Sequence, residues 1–141
     1  MSAATVLARS TSTTPAMATI LVVEDYTDTR ELLSALLRKQ GYNVIEAEDG
    51  IEGVLKASAT YPDLILMDLS LPEMDGVEAA RRIHAQPKLS HIPIFVVSAY
   101  LTEAVKADVR AAGCVEVFPK PFDAIALLEK IDTTLSDRRW R

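Results

Sequence analysis

Short apolar runs recur along the chain, and each is followed by a stretch in which apolar residues recur at helical spacing. The runs cover residues 19–23, 44–45, 64–67, 92–97 and 115–118. The third run, residues 64–67, is too short and too uniformly apolar for one face of a helix, and it suits a central strand buried on both sides. Strand and helix alternate five times, which predicts an α/β fold, a doubly wound five-stranded parallel sheet with helices on both faces.

Capping and stop signals bound the predicted helices. Thr27 or Asp28 can cap the first helix, and Asp123 can cap the last one. Glycine and proline follow each of the first four helices and end them. These stop signals are Gly41, Pro62, Pro87 and Gly113.

Length, charge and cysteine content restrict the possible functions. A chain of 141 residues with 49% hydrophobic residues is typical of one domain with a substantial core. The net charge of −5 argues against nucleic acid or an anionic membrane surface as the main partner. No apolar run approaches the length of a membrane span. The single Cys114 cannot form an internal disulfide, which fits a reducing compartment such as the cytoplasm.

Composition also divides the chain into segments. Residues 1–17 are rich in Ser, Thr and Ala, carry no acidic residue and lack the features of a secretory signal. We expect a disordered leader there, with a transit peptide as the alternative. Residues 18–136 form the predicted domain, and residues 137–141 form a short basic tail.

Reactive side chains follow four of the five predicted strands. Glu24 and Asp25 follow the first strand, Asp68 the third, Ser98 the fourth and Lys120 the fifth. Because parallel strands all point the same way, their ends gather at one edge of the sheet. If the strand order is 2-1-3-4-5, the first and third strands are neighbours, and Asp25 and Asp68 meet at the crevice where such folds bind ligands.

The charges of this set indicate a particular chemistry. Two carboxylates about 4 Å apart repel by about 4 kcal/mol at an effective dielectric near 20, so a proton, Lys120 or a metal must compensate. Carboxylate oxygens with an open side suit Mg²⁺. A divalent cation, a lysine, a hydroxyl and a carboxylate nucleophile are the parts of a phosphoryl-transfer centre that forms an acyl phosphate. Taken alone, Asp68 could equally be a helix-capping or turn aspartate.

Four motifs carry a family resemblance. They are LVVED at residues 21–25, LMDLSLPEMDG at 66–76, VVSA at 96–99 and FPKPF at 118–122. In this order and at these intervals, the chain resembles the receiver domain of the response regulators of two-component signalling, in the single-domain form of the chemotaxis regulators. The resemblance covers residues 18–136 and implies a flavodoxin-like sheet with the strand order 2-1-3-4-5.

The resemblance implies how the phosphoryl group is bound. Asp68 is similar to the phosphoacceptor of the family. Ser98 resembles the hydroxyl that turns inward to hold the phosphoryl group, and Lys120 resembles the lysine that pairs with it. Because relatives often have a cis bond before the following proline, the bond between Lys120 and Pro121 is a candidate for the cis form.

The resemblance also implies a metal and partners. Asp25 and Asp68 resemble direct ligands of Mg²⁺, or of Mn²⁺ in its place, and the backbone carbonyl of Ser70 resembles the third protein ligand. Glu24 resembles an acidic neighbour that acts largely through water. The phosphodonor implied is a histidine kinase or a histidine phosphotransfer protein, and a separate effector protein would read the phosphorylated state.

One position departs from the family pattern. Many relatives hold Tyr or Phe three residues before the lysine, but here that position is Val117, followed by Phe118. The switch then depends on Ser98 and the loop after it, or the output surface differs. Tyr100, two residues beyond Ser98, is placed to cover the phosphoryl group.

Three other functions are open to such a chain. A degenerate receiver would bind partners without phosphorylation, but the intact set of site residues argues against it. An aspartyl-phosphate phosphatase would need a second acid where Ser70 stands, so we expect a signalling switch whose own chemistry is limited to phosphorylation and dephosphorylation of Asp68. A dinucleotide-binding fold would need a Gly-rich loop after the first strand.

Overall fold

A computed structural model describes residues 18–138, and its strands follow the predicted apolar runs. The strands are β1 (Thr19–Val23), β2 (Asn43–Ala47), β3 (Leu64–Asp68), β4 (Ile94–Ser98) and β5 (Glu116–Pro119). They form one sheet in the order β2-β1-β3-β4-β5, and each neighbouring pair is parallel. The predicted fold class and strand order are therefore confirmed.

One helix follows each of these strands. The helices are α1 (Thr27–Lys39), α2 (Gly50–Thr60), α3 (Gly76–His84), α4 (Glu103–Ala111) and α5 (Ala124–Arg138), and a 3₁₀ turn (Pro87–Leu89) precedes β4. The predicted leader, residues 1–17, and residues 139–141 of the predicted basic tail lie outside the described residues. Across residues 18–138, none of the helices combines the length and the apolar composition that crossing a membrane requires.

Alternate side chains of each strand point to opposite faces of the sheet and build two cores. One core lies under α2, α3 and α4, where Met67 and Val96 of the sheet meet Ile83 and Val109 of the helices. The other lies under α1 and α5. Its strand residues Leu66 and Phe95 cluster with Leu37 and Ile131 of these helices. Because β3 and β4 are buried along their whole length, the strand ends that carry the reactive residues are firmly fixed.

The start of α1 differs from the sequence prediction. Neither Thr27 nor Asp28 caps the helix, because both lie within its first turn, and Tyr26 is the N-cap without a side-chain capping bond. The backbone amide of Tyr26 instead donates to Oε2 of Glu24, at 3.1 Å. The connection from β1 to α1 is therefore shaped by an acidic residue of the sheet edge.

The other boundaries lie within one or two residues of the predictions. β4 begins at Ile94, two residues later than predicted. The amide of Ile92 donates to the carbonyl of Leu89 at the 3₁₀ turn, and Pro93 has no N–H to offer to a neighbouring strand. At α5, the carboxylate of Asp123 accepts a hydrogen bond from the amide of Ala126 at 3.1 Å, so the predicted capping interaction is confirmed.

Candidate functional site

The structure brings the predicted reactive residues to one edge of the sheet. Val23 pairs with Met67 in the ladder between β1 and β3. Glu24 and Asp68 are the next residues along these two strands, so they lie at corresponding places at the carboxyl ends. Ser98 ends β4 beside β5, and Lys120 follows β5 directly. The grouping predicted from the strand order is therefore present.

Three carboxylates form the acidic part of this edge. Glu24, Asp25 and Asp68 each offer an oxygen, and these oxygens all lie within 4.8 Å of one another. Glu24 and Asp68 are buried, with 2% and 6% of their surface exposed, whereas Asp25 is exposed. The cluster therefore has a buried floor and an open side that a solute can reach.

Lys120 supplies the positive charge that faces these carboxylates. Its Nζ lies 2.8 Å from Oε1 of Glu24 and 3.5 Å from Oδ2 of Asp68. Burial lowers the pKa of Lys120, but the hydrogen bond to Glu24 and the charge of Asp68 outweigh it, so the pKa lies above the usual lysine value. Lys120 is therefore protonated at neutral pH and holds Glu24 more closely than it holds Asp68.

The backbone ties Ser98 and Lys120 together. The amide of Lys120 donates to the carbonyl of Ser98 at 2.9 Å, and the bond between Lys120 and Pro121 is cis, as expected. The Ser98 side chain is buried, and its Oγ accepts a hydrogen bond from the amide of Tyr100 at 3.2 Å. The hydroxyl thus holds the first turn of the loop that leads to α4.

The loop after β3 folds closely against Asp68. The amide of Ser70 donates to Oδ1 of Asp68 at 3.3 Å, and the amide of Gly76 donates to the carbonyl of Leu69 at 3.0 Å. A Cβ atom built on Gly76 would lie only 2.2 Å from the carbonyl oxygen of Asp68. Glycine is required there because the start of α3 approaches the end of β3 too closely for any side chain.

An open cleft lies beside Ser98. It has a volume of about 400 Å³, and Ser70, Asp75, Ser98 and Tyr100 contribute to its lining. The Tyr100 side chain is 73% exposed at this cleft, so it is free to change position. Tyr100 thus lines the same cleft as Ser98, and its covering of a phosphoryl group stays a prediction.

Val117, which stands where many relatives hold Tyr or Phe, and its neighbour Phe118 face opposite sides of the sheet. Val117 packs against the core under α2, α3 and α4. Phe118 packs against the core under α1 and α5, where its ring centroid lies 5.8 Å from that of Phe95. Phe118 therefore does not take the place of the missing aromatic ring, because a shift of one residue moves a side chain to the other face.

Sequence reasoning assigned no role to Arg30, which contacts the backbone behind the acidic cluster. Arg30 is buried within α1, and its Nη1 donates to the carbonyl of Glu24 at 3.0 Å. A signal was present in the sequence, since Arg30 precedes Leu33 and Leu37 at helical spacing and so falls on the buried face. A charged residue on such a face needs a partner, which only the fold reveals.

The fold and the site together define a class of protein. The chain belongs to the response regulator receiver domain family, whose sequence profile matches residues 20–132. It is 32% identical over 118 residues to the polar-differentiation response regulator DivK of Brucella ovis, a match that spans 84% of this chain and 96% of DivK. The protein is thus a receiver domain of two-component signalling, which is a switch family and not a conventional enzyme class.

Solved structures agree with this assignment. The chemotaxis response regulator CheY4 of Vibrio cholerae is 30% identical, superposes with a TM-score of 0.78 and covers 83% of this chain and 98% of its own. The receiver domain of the sensor histidine kinase PA1611 from Pseudomonas aeruginosa is 34% identical and superposes with a TM-score of 0.77. The match covers 85% of this chain and 98% of the PA1611 chain. That structure holds a magnesium ion coordinated in its active-site cleft.

We predict that Gly76→Ala damages the site through the backbone of Asp68. The new Cβ would overlap the Asp68 carbonyl, so the loop after β3 must shift, and overpacking of this kind costs about 1–3 kcal/mol of the free energy of unfolding. Urea denaturation measures this loss. Glu78→Ala, which removes only exposed ion pairs of the same helical turn, is the control and should stay near wild-type stability. Equal stability of Gly76→Ala and wild type would contradict the close approach.

Proposed function

We propose that Asp68 is the phosphoacceptor of this receiver domain. The observation that carries the proposal is the position of its carboxylate at the carboxyl edge of the sheet, within 4.8 Å of oxygens of Glu24 and Asp25 and 3.5 Å from the ammonium group of Lys120. Ser98 ends the adjacent strand and is the hydroxyl proposed to bind the transferred group. The phosphodonor is a phosphohistidine of a histidine kinase or of a histidine phosphotransfer protein, and a separate effector reads the product.

The transfer step is a displacement at phosphorus. A carboxylate oxygen of Asp68 attacks the phosphorus atom, a P–O bond forms and the P–N bond of the phosphohistidine breaks. The imidazole nitrogen leaves with the electron pair of that bond, and Asp68 becomes an acyl phosphate. Hydrolysis of the acyl phosphate by water restores the carboxylate and resets the switch.

The donor set fits a divalent cation. The three clustered carboxylates are hard oxygen ligands with one exposed member, which suits Mg²⁺, or Mn²⁺ in its place. We propose that Asp25, Asp68 and the backbone carbonyl of Ser70 hold the ion, with Glu24 acting largely through water. When bound, the ion supplies positive charge that offsets the charge of the phosphoryl oxygens.

The switch follows from the new charge on Asp68. A phosphoryl group adds about −1.5 to −2 charges at neutral pH. This charge attracts the ammonium group of Lys120 away from Glu24 and toward the phosphoryl oxygens. Ser98 has to release the amide of Tyr100 when its hydroxyl turns toward the same oxygens. Because Val117 cannot act as an aromatic readout, we propose that the loop from Ser98 to α4 carries the change to the partner-binding surface.

Labelling with acetyl phosphate tests the phosphoacceptor. Wild-type protein should incorporate phosphate only with Mg²⁺ present, and Asp68→Asn should incorporate none, because the amide cannot form the acyl phosphate. Incorporation is measured as the mass increase of the intact protein. Asp75→Asn is the matched control, since its carboxylate caps α3 outside the acidic cluster and asparagine also caps helices well.

A failed labelling experiment has a clear meaning. If folded wild-type protein takes up no phosphate from acetyl phosphate or from phosphorylated kinase, the chain is a degenerate receiver that binds partners independently of phosphorylation. If Asp68→Asn is labelled to the same extent as wild type, the acceptor is another residue.

The cytoplasmic location expected from the single cysteine stays a prediction.

We predict that Tyr100→Ala shortens the lifetime of the phosphorylated protein. The exposed ring of Tyr100 lies at the mouth of the cleft beside Ser98, where it can fold over the phosphoryl group and limit the access of water. Its removal should raise the dephosphorylation rate severalfold in a chase after phosphodonor removal. Tyr61→Ala, which removes an exposed tyrosine at the far end of α2, should leave the rate unchanged. An unchanged rate for Tyr100→Ala would show that the ring does not shield the site.

A further inference from the structure

Arg30 places a guanidinium directly behind the acidic cluster. The residue is 8% exposed and lies in the first turns of α1. Its Nη1 donates to the carbonyl of Glu24 at 3.0 Å and lies 3.5 Å from the carbonyl of Asp25. Its Nε donates to Oε1 of Glu46 on β2, also at 3.0 Å. One side chain thus links the backbone of both acidic residues to a neighbouring strand.

These contacts fix the segment from which two of the carboxylates project. Glu24 and Asp25 lie after the end of β1, where the ladder ends with the amide of Glu24 donating to the carbonyl of Ala47. Beyond that bond, the carbonyls of Glu24 and Asp25 have no strand partner, and the guanidinium takes that role. The direction of the Glu24 and Asp25 side chains therefore depends on Arg30.

We propose that Arg30 is a positioning residue for the divalent cation, acting through the backbone of Glu24 and Asp25. The inference rests on the proposed function, because it presumes that the acidic cluster binds Mg²⁺. Arg30 itself does not touch the cluster's carboxylate oxygens in any contact of the described residues. It pairs instead with Glu46 and reaches the cluster through the backbone carbonyls of Glu24 and Asp25, so its proposed effect is on geometry.

The chemistry of arginine explains why this side chain suits the position. Its planar guanidinium presents several N–H donors in a fixed fork. Here one nitrogen faces the carbonyls after β1 while another binds the carboxylate of Glu46. The side chain of lysine has a single nitrogen and cannot bind the carbonyls after β1 and the Glu46 carboxylate with the same geometry. Arg30→Lys therefore keeps the charge but loses the link between these two partners.

Arg38 provides a matched control within the same network. Its Nη2 lies 3.5 Å from Oε2 of Glu46, so it shares the carboxylate partner of Arg30. Its side chain is 54% exposed, and its hydrogen bonds among the described residues go to Val44 and Glu46, not to the carbonyls behind the cluster. Arg38→Met removes an arginine from Glu46 without releasing Glu24 or Asp25.

Direct measurement of Mg²⁺ binding tests the proposal. Isothermal titration of the full chain with MgCl₂ should give a Kd about 10-fold or more higher for Arg30→Met than for wild type, since partners that orient metal ligands typically change affinity by about 10–100-fold. Arg30→Lys should show a smaller increase in the same direction, and Arg38→Met should stay within about twofold of wild type. Urea denaturation without Mg²⁺ identifies any variant that does not fold.

The outcomes separate this inference from the proposed function. Wild-type protein that binds no Mg²⁺ would overturn the metal site itself, and with it the basis of the inference. Wild-type binding together with an unchanged Kd in folded Arg30→Met and Arg30→Lys would overturn the role of Arg30 alone. Equal weakening by Arg30→Met and Arg38→Met would also overturn it, because the effect would then come from Glu46. If Arg30→Met does not fold, the Kd of Arg30→Lys decides.

Discussion

Three carboxylates share one edge of the sheet with the ammonium group of Lys120, and the proposed function depends on keeping them together. Glu24, Asp25 and Asp68 repel one another, and the burial of Glu24 and Asp68 leaves little water to screen that repulsion. Lys120 offsets part of the charge by bridging the two buried members. Under the proposed function, the remaining negative charge attracts a divalent cation and repels an incoming phosphate, so cation binding favours phosphoryl transfer.

The rest of the structure holds this unfavourable grouping in place. Two cores pack on the faces of the sheet, one under α1 and α5 and one under α2, α3 and α4, and they hold β3 beside β1. The close approach of Gly76 fixes the loop on one side of Asp68, and the guanidinium of Arg30 fixes the backbone after β1 on the other. Stability of the apolar layers thus offsets the cost of a charged site, a common arrangement where function requires clustered charges.

Much of this arrangement could be predicted from the sequence, because its signals are local. The apolar runs predicted four strands to within one residue at their starts, and β4 begins later because the amide of Ile92 bonds at the 3₁₀ turn and Pro93 has no N–H. The residues that follow the strands had to meet once the sheet was parallel, but the strand order that brings Asp25 next to Asp68 came from the family resemblance. Arg30 and Glu46 lie sixteen positions apart in the sequence, and only the fold shows that they pair. The prediction for the cap of α1 was wrong because the helix begins at Thr27, so that Thr27 and Asp28 lie within its first turn.

The most direct test of this account is the free energy of unfolding of wild type and Asp25→Asn, measured by urea denaturation with and without Mg²⁺. Without Mg²⁺, Asp25→Asn should be more stable than wild type, because one of three repelling charges is gone. With Mg²⁺ at about 100 times its Kd, wild type should gain about 2.7 kcal/mol, and the variant should gain far less. Two results together would contradict the claim that the cluster is a cation-binding site with repelling charges. The free energy of unfolding of wild type would not change with Mg²⁺, and without Mg²⁺ wild type would be at least as stable as Asp25→Asn.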